Sequence, residues 1–597
     1  MIKLFIRRPV FTTMLVMLLV VFGAGSYPSL GIDLYPDIEL PIVTVTITYT
    51  GASPEEMESL VSKPIEDAVS SVAGIKTLSS ISREGFSQTT LEFELGVNPK
   101  MAANDVREKV AGVRRRLPDQ IDEPVTQRYD ITAQSIMNFS LASQTRERGE
   151  IRKIAIDVVK DELQRIEGVA EVSVYSAADR EIKIFVDPRK LEAYNLPFQP
   201  IFDLINAQNY NTPGGRVIAH GNEMTVRTIG KYKSLDDMKN IVVANQQGRL
   251  IRLGDVATVE DSWGEERTYA RTKGTPAVMI GVQKQSGTNT VAIAEKVKKT
   301  MERLQNGVLP PDIKVSKVRD SSVYIRDNVD DVMVSLIFGG LLAVLITFLF
   351  LRDGRATIIA GLAIPTSIVS TFFLMKSMNF TLNNMSLLGL SLAVGILIDD
   401  AIVVIENIVR HMEEGATPME AAGEGTQEIS LAVLATTFSL LAVFVPVGTM
   451  GDIIGQFFKQ FGLTVAFAVA FSLFVAFTLV PTMSAYWLRK ADATPPPSSR
   501  FGRAVETVLD KWEQGFVAFR SFYEIALRWA LHRPKKLMVV AVLSLFINFL
   551  FVPIIGFEFQ PTYDSGEFNI AISAAAGTSM EKMKELVAPV EKEVLAV

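Results

Sequence analysis

Cysteine is absent from all 597 residues, which excludes disulfides, thiolate metal sites and cysteine nucleophiles. Histidine is nearly absent too: His220, His411 and His532 are the only three, and they are too scattered to suggest a metal cluster. No GxxxxGKS/T phosphate loop occurs, so ATP is not an obvious energy source. No basic, aromatic-studded stripe runs along the chain, and the net charge of −6 argues against a nucleic-acid partner. Nothing in the residue pattern calls for a cofactor.

What is present is apolar and bunched. Hydrophobic residues make up 48% and charged residues 21%, with a mean hydropathy of +0.24. Those values are compatible only if the apolar residues are concentrated. They fall in seven runs: Pro9–Pro28, Val332–Leu351, Thr357–Met375, Met385–Ile408, Ile429–Thr449, Phe461–Leu488 and Leu537–Ile555. Each is long enough to cross the ~30 Å hydrocarbon layer as a helix. The first run follows Lys3, Arg7 and Arg8 and resembles a signal peptide, but at about 20 residues it exceeds the usual ~7–15 residue signal core. It reads as an uncleaved membrane helix.

The basic residues orient these spans. Lys3, Arg7, Arg8, Arg352, Arg355 and the ten Lys and Arg of 489–536 fall on one side, which is therefore cytoplasmic. Residues 30–330, and everything after Gly556, then lie outside the inner membrane. The outer segment alternates strands and helices. IVTVTITYT (42–50) alternates β-branched residues, and Ser53 with Glu56 forms a capping-box pattern. Two β-α-β-β-α units in tandem are expected, the second comprising a strand at 136–142, a helix at 149–166, strands at 169–175 and 181–186, and helical material to about Asn206. A further strand–helix–strand unit leads back to the membrane. Residues 491–503 read as a linker, followed by an amphipathic helix on the inner leaflet. The expected divisions are a first membrane helix (1–29), an outer domain (30–330), five membrane helices (331–490), linker and surface helix (491–536), a seventh span (537–556) and the start of a second outer region (557–597).

An internal repeat supports the last division. Arg8-Pro9 matches Arg533-Pro534, Gly31 matches Gly556, Asp33 matches Glu558 and Pro36 matches Pro561, all 525 positions apart. After one insertion, Gly51-Ala-Ser53 matches Gly577-Thr-Ser579. The sequence thus reads as one repeat plus the opening of another, and as a fragment, split gene product or frameshifted copy.

The chemistry is concentrated in GILIDDAIVVIEN. Asp399 and Asp400 stand inside an otherwise apolar run, where one carboxylate near the bilayer centre costs ~2.5–3.5 kcal/mol on insertion scales. They project about 100° apart on a helix. Glu406 follows two turns beyond Asp399 on a similar face. Such carboxylates suit a proton relay. The competing reading, a structural ion pair, lacks a Lys or Arg at mid-membrane depth in the other spans. An intramembrane aspartyl protease would need one carboxylate on each of two helices, which adjacent residues do not supply. No catalytic residues are assigned, and His411 reads as an ordinary surface residue.

The DDAIVVIEN helix, the Arg-Pro first span and GIDLYPDIELPIVTVTITYTGASPEEME resemble resistance–nodulation–division (RND) exporters, in particular the hydrophobe/amphiphile branch, over essentially the whole chain. The resemblance implies a multi-span helical membrane protein with a large periplasmic α+β domain of ferredoxin-like porter subdomains. It implies proton-driven efflux of hydrophobic or amphiphilic compounds by a homotrimer embedded in inner-membrane lipid, working with a periplasmic adaptor and an outer-membrane channel. Asp399 and Asp400 match the family's paired aspartates. A docking part with an extended arm is implied near 180–265, and Ile136 and Tyr175 stand where the family places substrate-pocket residues. A relative moving lipid, protein or metal, and a half-transporter that is inert or needs a partner, are the alternatives.

Overall fold

A computed structural model describes residues 2–38, 40–129, 135–209, 211–219, 222–246, 248–489, 500–555, 568–575 and 577–596. His220, most of the 491–503 linker and the repeat positions Gly556, Glu558 and Pro561 lie outside the described residues. The chain divides into two compact units: residues 1–134, 284–294 and 321–570 form the first, and 135–283, 295–320 and 571–597 the second.

In the first unit, seven helices among the described residues are long and apolar enough to cross a membrane. They are Pro9–Ser26, Ser321–Leu351, Gly354–Ser377, Asn384–Glu413, Pro418–Thr449, Ile453–Trp487 and Pro534–Ile555. Several outrun the apolar runs, because hydrocarbon thickness limits the apolar run whereas a helix continues until a cap ends it. The fifth starts at Thr417, whose hydroxyl accepts from Glu420 N in a capping box, and the sixth starts behind Asp452. Glycine permits the closest crossings, as is usual between membrane helices. A Cβ on Gly23 would stand 1.9 Å from the Val369 carbonyl oxygen, and one on Gly462 2.8 Å from Gly448 N. Helix Arg500–His532 touches this bundle where Trp512 and Phe516 meet the Phe350 ring edge-on, with centroids 5.9 and 5.5 Å away, while Phe519, Phe522 and Trp529 stay exposed.

The first unit also holds strands β1 (Ile42–Thr48), β2 (Ile75–Arg83), β3 (Phe86–Phe93) and β4 (Val125–Arg128), antiparallel in the order β2-β3-β1-β4. Val43, Val45 and Ile47 alternate inward against Val106 and Val110 of helix Pro99–Val113, the period-two and period-3.6 faces expected of such a layer.

The second unit corrects the tandem reading. Its main sheet contains β5 (Ser135–Ala142), β6 (Val169–Tyr175), β13 (Ala270–Thr272), β14 (Thr275–Lys284) and β15 (Lys314–Asp320), in the order β13-β14-β5-β15 with β6 also on β14. The strand expected to follow β6, β7 (Arg180–Val186), instead pairs with β12 (Ala257–Trp263) in a separate ribbon. β14 takes the expected place because its Val278, Ile280 and Val282 are fully buried, while β7 closes over a smaller core of Ile201, Ile251, Leu253 and Val256. The segment between them carries two hairpins, β8 (Thr212–Ala219) with β9 (Asn222–Thr228) and β10 (Val242–Gln246) with β11 (Arg249–Arg252). The first of these hairpins lies within the 180–265 stretch where the resemblance implies a docking part, and its Val217, Ile218 and Met224 are exposed. Trp263 lies flat on Gly149, where a Cβ would come within 2.1 Å of the ring, and its Nε1 donates to Glu147 at 2.8 Å.

Candidate functional site

The helix Asn384–Glu413 positions the carboxylates, and its start is unusually well held. Asn383 is fully buried; its Oδ1 accepts from Met385 N at 3.0 Å and Ser386 N at 3.1 Å. Its Nδ2 donates to Gln460 Oε1 on the sixth long helix at 2.7 Å, so the cap is locked to a neighbour. From there Leu387, Leu390, Ala393, Val394, Leu397, Ile398, Ala401, Val404, Ile405 and Ile408 form one buried stripe at helical spacing.

Asp399 and Asp400 fall at the margin of that stripe. Asp400 Oδ2 accepts from the buried Ser472 hydroxyl of the sixth helix at 2.9 Å, and the same hydroxyl lies 3.0 Å from the Leu397 carbonyl oxygen. Asp399 has no hydrogen bond or ion pair among the described residues. Both aspartates line a cleft of about 350 Å3 walled by Ile396, Val403, Ala432, Thr436 and Leu440. No Lys or Arg lines it among the described residues. Glu406 is not brought to the pair. It is exposed and lines a second cavity of about 440 Å3 with Phe350, Asn407, Arg410 and Glu413. Val403 is common to both linings.

Residues 1–597 match the AcrB/AcrD/AcrF family. The chain belongs to that family. Among its relatives, the multidrug resistance protein MdtC of Yersinia pseudotuberculosis serotype O:3 (strain YPIII) is 31% identical over 583 residues, 98% of this chain and 56% of the relative. The protein of the same name from serotype IB (strain PB1/+) gives the same values, 31% over 583 residues. The chain therefore spans about half the length of the curated relatives it matches. As an AcrB/AcrD/AcrF family member with seven helices able to cross a membrane, it is a multi-pass protein of the inner membrane.

The two candidate pocket residues of this family member are separated. Ile136 on β5 is 6% exposed, buried in the sheet, whereas Tyr175 at the end of β6 is 41% exposed, with β14 between their strands. Of the two, only Tyr175 presents its side chain at a surface.

The sequence reading missed a polar cluster at the far end of the aspartate helix. Glu428 on the fifth helix accepts from Arg410 at 2.7 Å and Asn407 at 3.2 Å and contacts His411 Nε2 at 2.7 Å. Asn407 also donates to the Gly425 carbonyl at 2.7 Å. His411 is thus an interhelical partner, not an ordinary surface residue. The spacing of Asn407, Arg410 and His411, three and four residues apart on one face, is the signal that could have revealed it. Ser472 carried no such signal, since serine is common in membrane helices and only packing sets it beside Asp400.

Proposed function

We propose that this chain works in a proton-driven exporter of hydrophobic or amphiphilic compounds, with Asp399 and Asp400 as the proton site and Glu406 as the relay group toward the cytoplasm. The observation that carries the proposal is that Asp400, held by the Ser472 hydroxyl, lines an apolar cleft with no cation among the described residues. An ionised carboxylate at that depth is costly, and a proton removes the charge. Ser472 is placed for both forms. Its hydroxyl donates to ionised Asp400 and turns to the Leu397 carbonyl when Asp400 is protonated, so the two protonation states favour different contacts between the fourth and sixth helices. A ligand or proton drives a conformational change only through such a differential contact.

The remainder follows by similarity to proteins named for multidrug resistance. The two antiparallel sheets would be ferredoxin-like porter subdomains on the periplasmic side, and the hairpin β8–β9 would belong to a docking part near 180–265. Tyr175 would contact substrate, with Ile136 shaping the wall from beneath. The assembly would be a homotrimer joined to a periplasmic adaptor and an outer-membrane channel. The helix Arg500–His532, with its exposed aromatics, would lie against inner-leaflet lipid.

The test is dye efflux from efflux-deficient cells that make the native chain. Asp400→Asn abolishes export while a native gel shows the trimer unchanged. Undiminished export by that variant would sink the proton-site reading.

A further inference from the structure

Between the first long helix and β1 the chain runs as a strap, and the strap is pinned to the loop that enters the aspartate helix. Leu382 N donates to the Gly31 carbonyl at 2.8 Å, Asp33 N to the Leu382 carbonyl at 3.1 Å and Asn384 N to the Leu34 carbonyl at 3.3 Å. Ile32 and Leu382 form a parallel bridge. That loop leads directly into the Asn383 cap described above, so the strap and the start of the helix are one hydrogen-bonded piece.

The side chain of Asp33 reaches a different stretch of chain. Its Oδ1 lies 2.8 Å from Lys284 Nζ, and the Thr290 hydroxyl donates to the same oxygen. Lys284 Nζ also donates to the Thr288 carbonyl at 2.9 Å, and the Ser286 hydroxyl donates to Asp37 at 3.1 Å. The pair is out of water, with side chains 11% (Asp33) and 6% (Lys284) exposed. Lys284 ends β14, and Thr290 begins helix Thr290–Gly307. Residues 284–294 belong to the same unit as the membrane helices, whereas the rest of β14 and the rest of that helix belong to the other unit.

A buried ion pair is a poor device for stability alone, because desolvation offsets most of the attraction and apolar residues would pack as well. Here burial is strong enough that Asp33 is pushed above its usual carboxylate range in spite of Lys284 and Thr290. What such a pair supplies is register between two segments. We propose that Asp33 and Lys284 form the latch that couples the aspartate helix to β14, with Asp33 a positioning residue that carries displacement of the strap along the chain into the β14 sheet. The proposal presupposes proton-driven transport.

The cysteine-free chain allows single-cysteine reporters for the test. Ala432→Cys reports on the aspartate cleft and Met279→Cys on β14, each read as maleimide labelling in cells with the proton gradient intact or collapsed by a protonophore. With Asp33 present, both rates respond to the gradient. In the near-isosteric Asp33→Asn background, the cleft reporter still responds, the β14 reporter ceases to respond, and ethidium efflux falls about tenfold, as expected for a lost coupling contact. Efflux within about twofold of the parent, or loss of both responses together, overturns the latch. If the cleft reporter never responds even with Asp33 present and no efflux occurs, the transport reading itself has failed, a different result.

Discussion

Asp33 and Asp400 are both withdrawn from water, and their partners differ in kind. Asp33 is held by an ammonium and a hydroxyl from another stretch of chain, whereas Asp400 is held by one serine hydroxyl in a cleft with no cation among the described residues. An ammonium and a hydroxyl that share one carboxylate oxygen fix its geometry. A neutral hydroxyl can follow either protonation state, because it donates to a carboxylate or to a neighbouring carbonyl. On the proton-site proposal, the first of these two sites stays as it is and the second changes.

Making the second site like the first should have the largest effect. Ser472→Lys places an ammonium within reach of Asp400, and efflux should fall to background while the amount of protein in the membrane is maintained. Efflux at the parent rate would show that a fixed ion pair is compatible with turnover. Making the first site like the second is milder. Lys284→Met leaves Asp33 buried with only Thr290, and should lower unfolding stability by about 3 kcal/mol. Thermal denaturation of detergent-solubilised protein measures this, and an unchanged melting temperature would mean that Asp33 without Lys284 bears no uncompensated buried charge.

The smallest effect concerns a carboxylate that remains near water. Asp312 accepts from Arg146 at 2.8 Å and is drawn down from 3.8 to about 2, chiefly by that bond. A depressed value means that the contribution is complete above the ordinary carboxylate range and is lost as pH falls toward about 2. The stability gap between the parent and Asp312→Asn should therefore be constant near neutrality and close as the pH drops below about 4. A gap that widens on acidification would contradict the sign.

The repeat shows how far local chemistry carried the reading. Gly51 and Gly577 take φ of +87° and +86°, a left-handed backbone that glycine adopts without a Cβ penalty, and in each case the serine two residues later caps a helix. These features depend on neighbours within four residues, so they were visible in GAS and GTS. The choice between β7 and β14 was not. Both read locally as strands, and which of them pairs in the main sheet depends on burial across more than a hundred residues of chain between β5 and β14.

The sequence by itself determined the seven membrane helices, the carboxylate pair on the fourth and the family, because hydrophobic length, charge placement and contiguous motifs are properties of the chain read in order. The tertiary structure alone decided that Ser472 grips Asp400, that Glu428 gathers Arg410 and His411, that Ile136 is buried where Tyr175 is not, and that Asp33 meets Lys284 across some 250 residues. Each of those rests on segments that meet only in the folded chain, and that meeting is set by packing rather than by any local pattern.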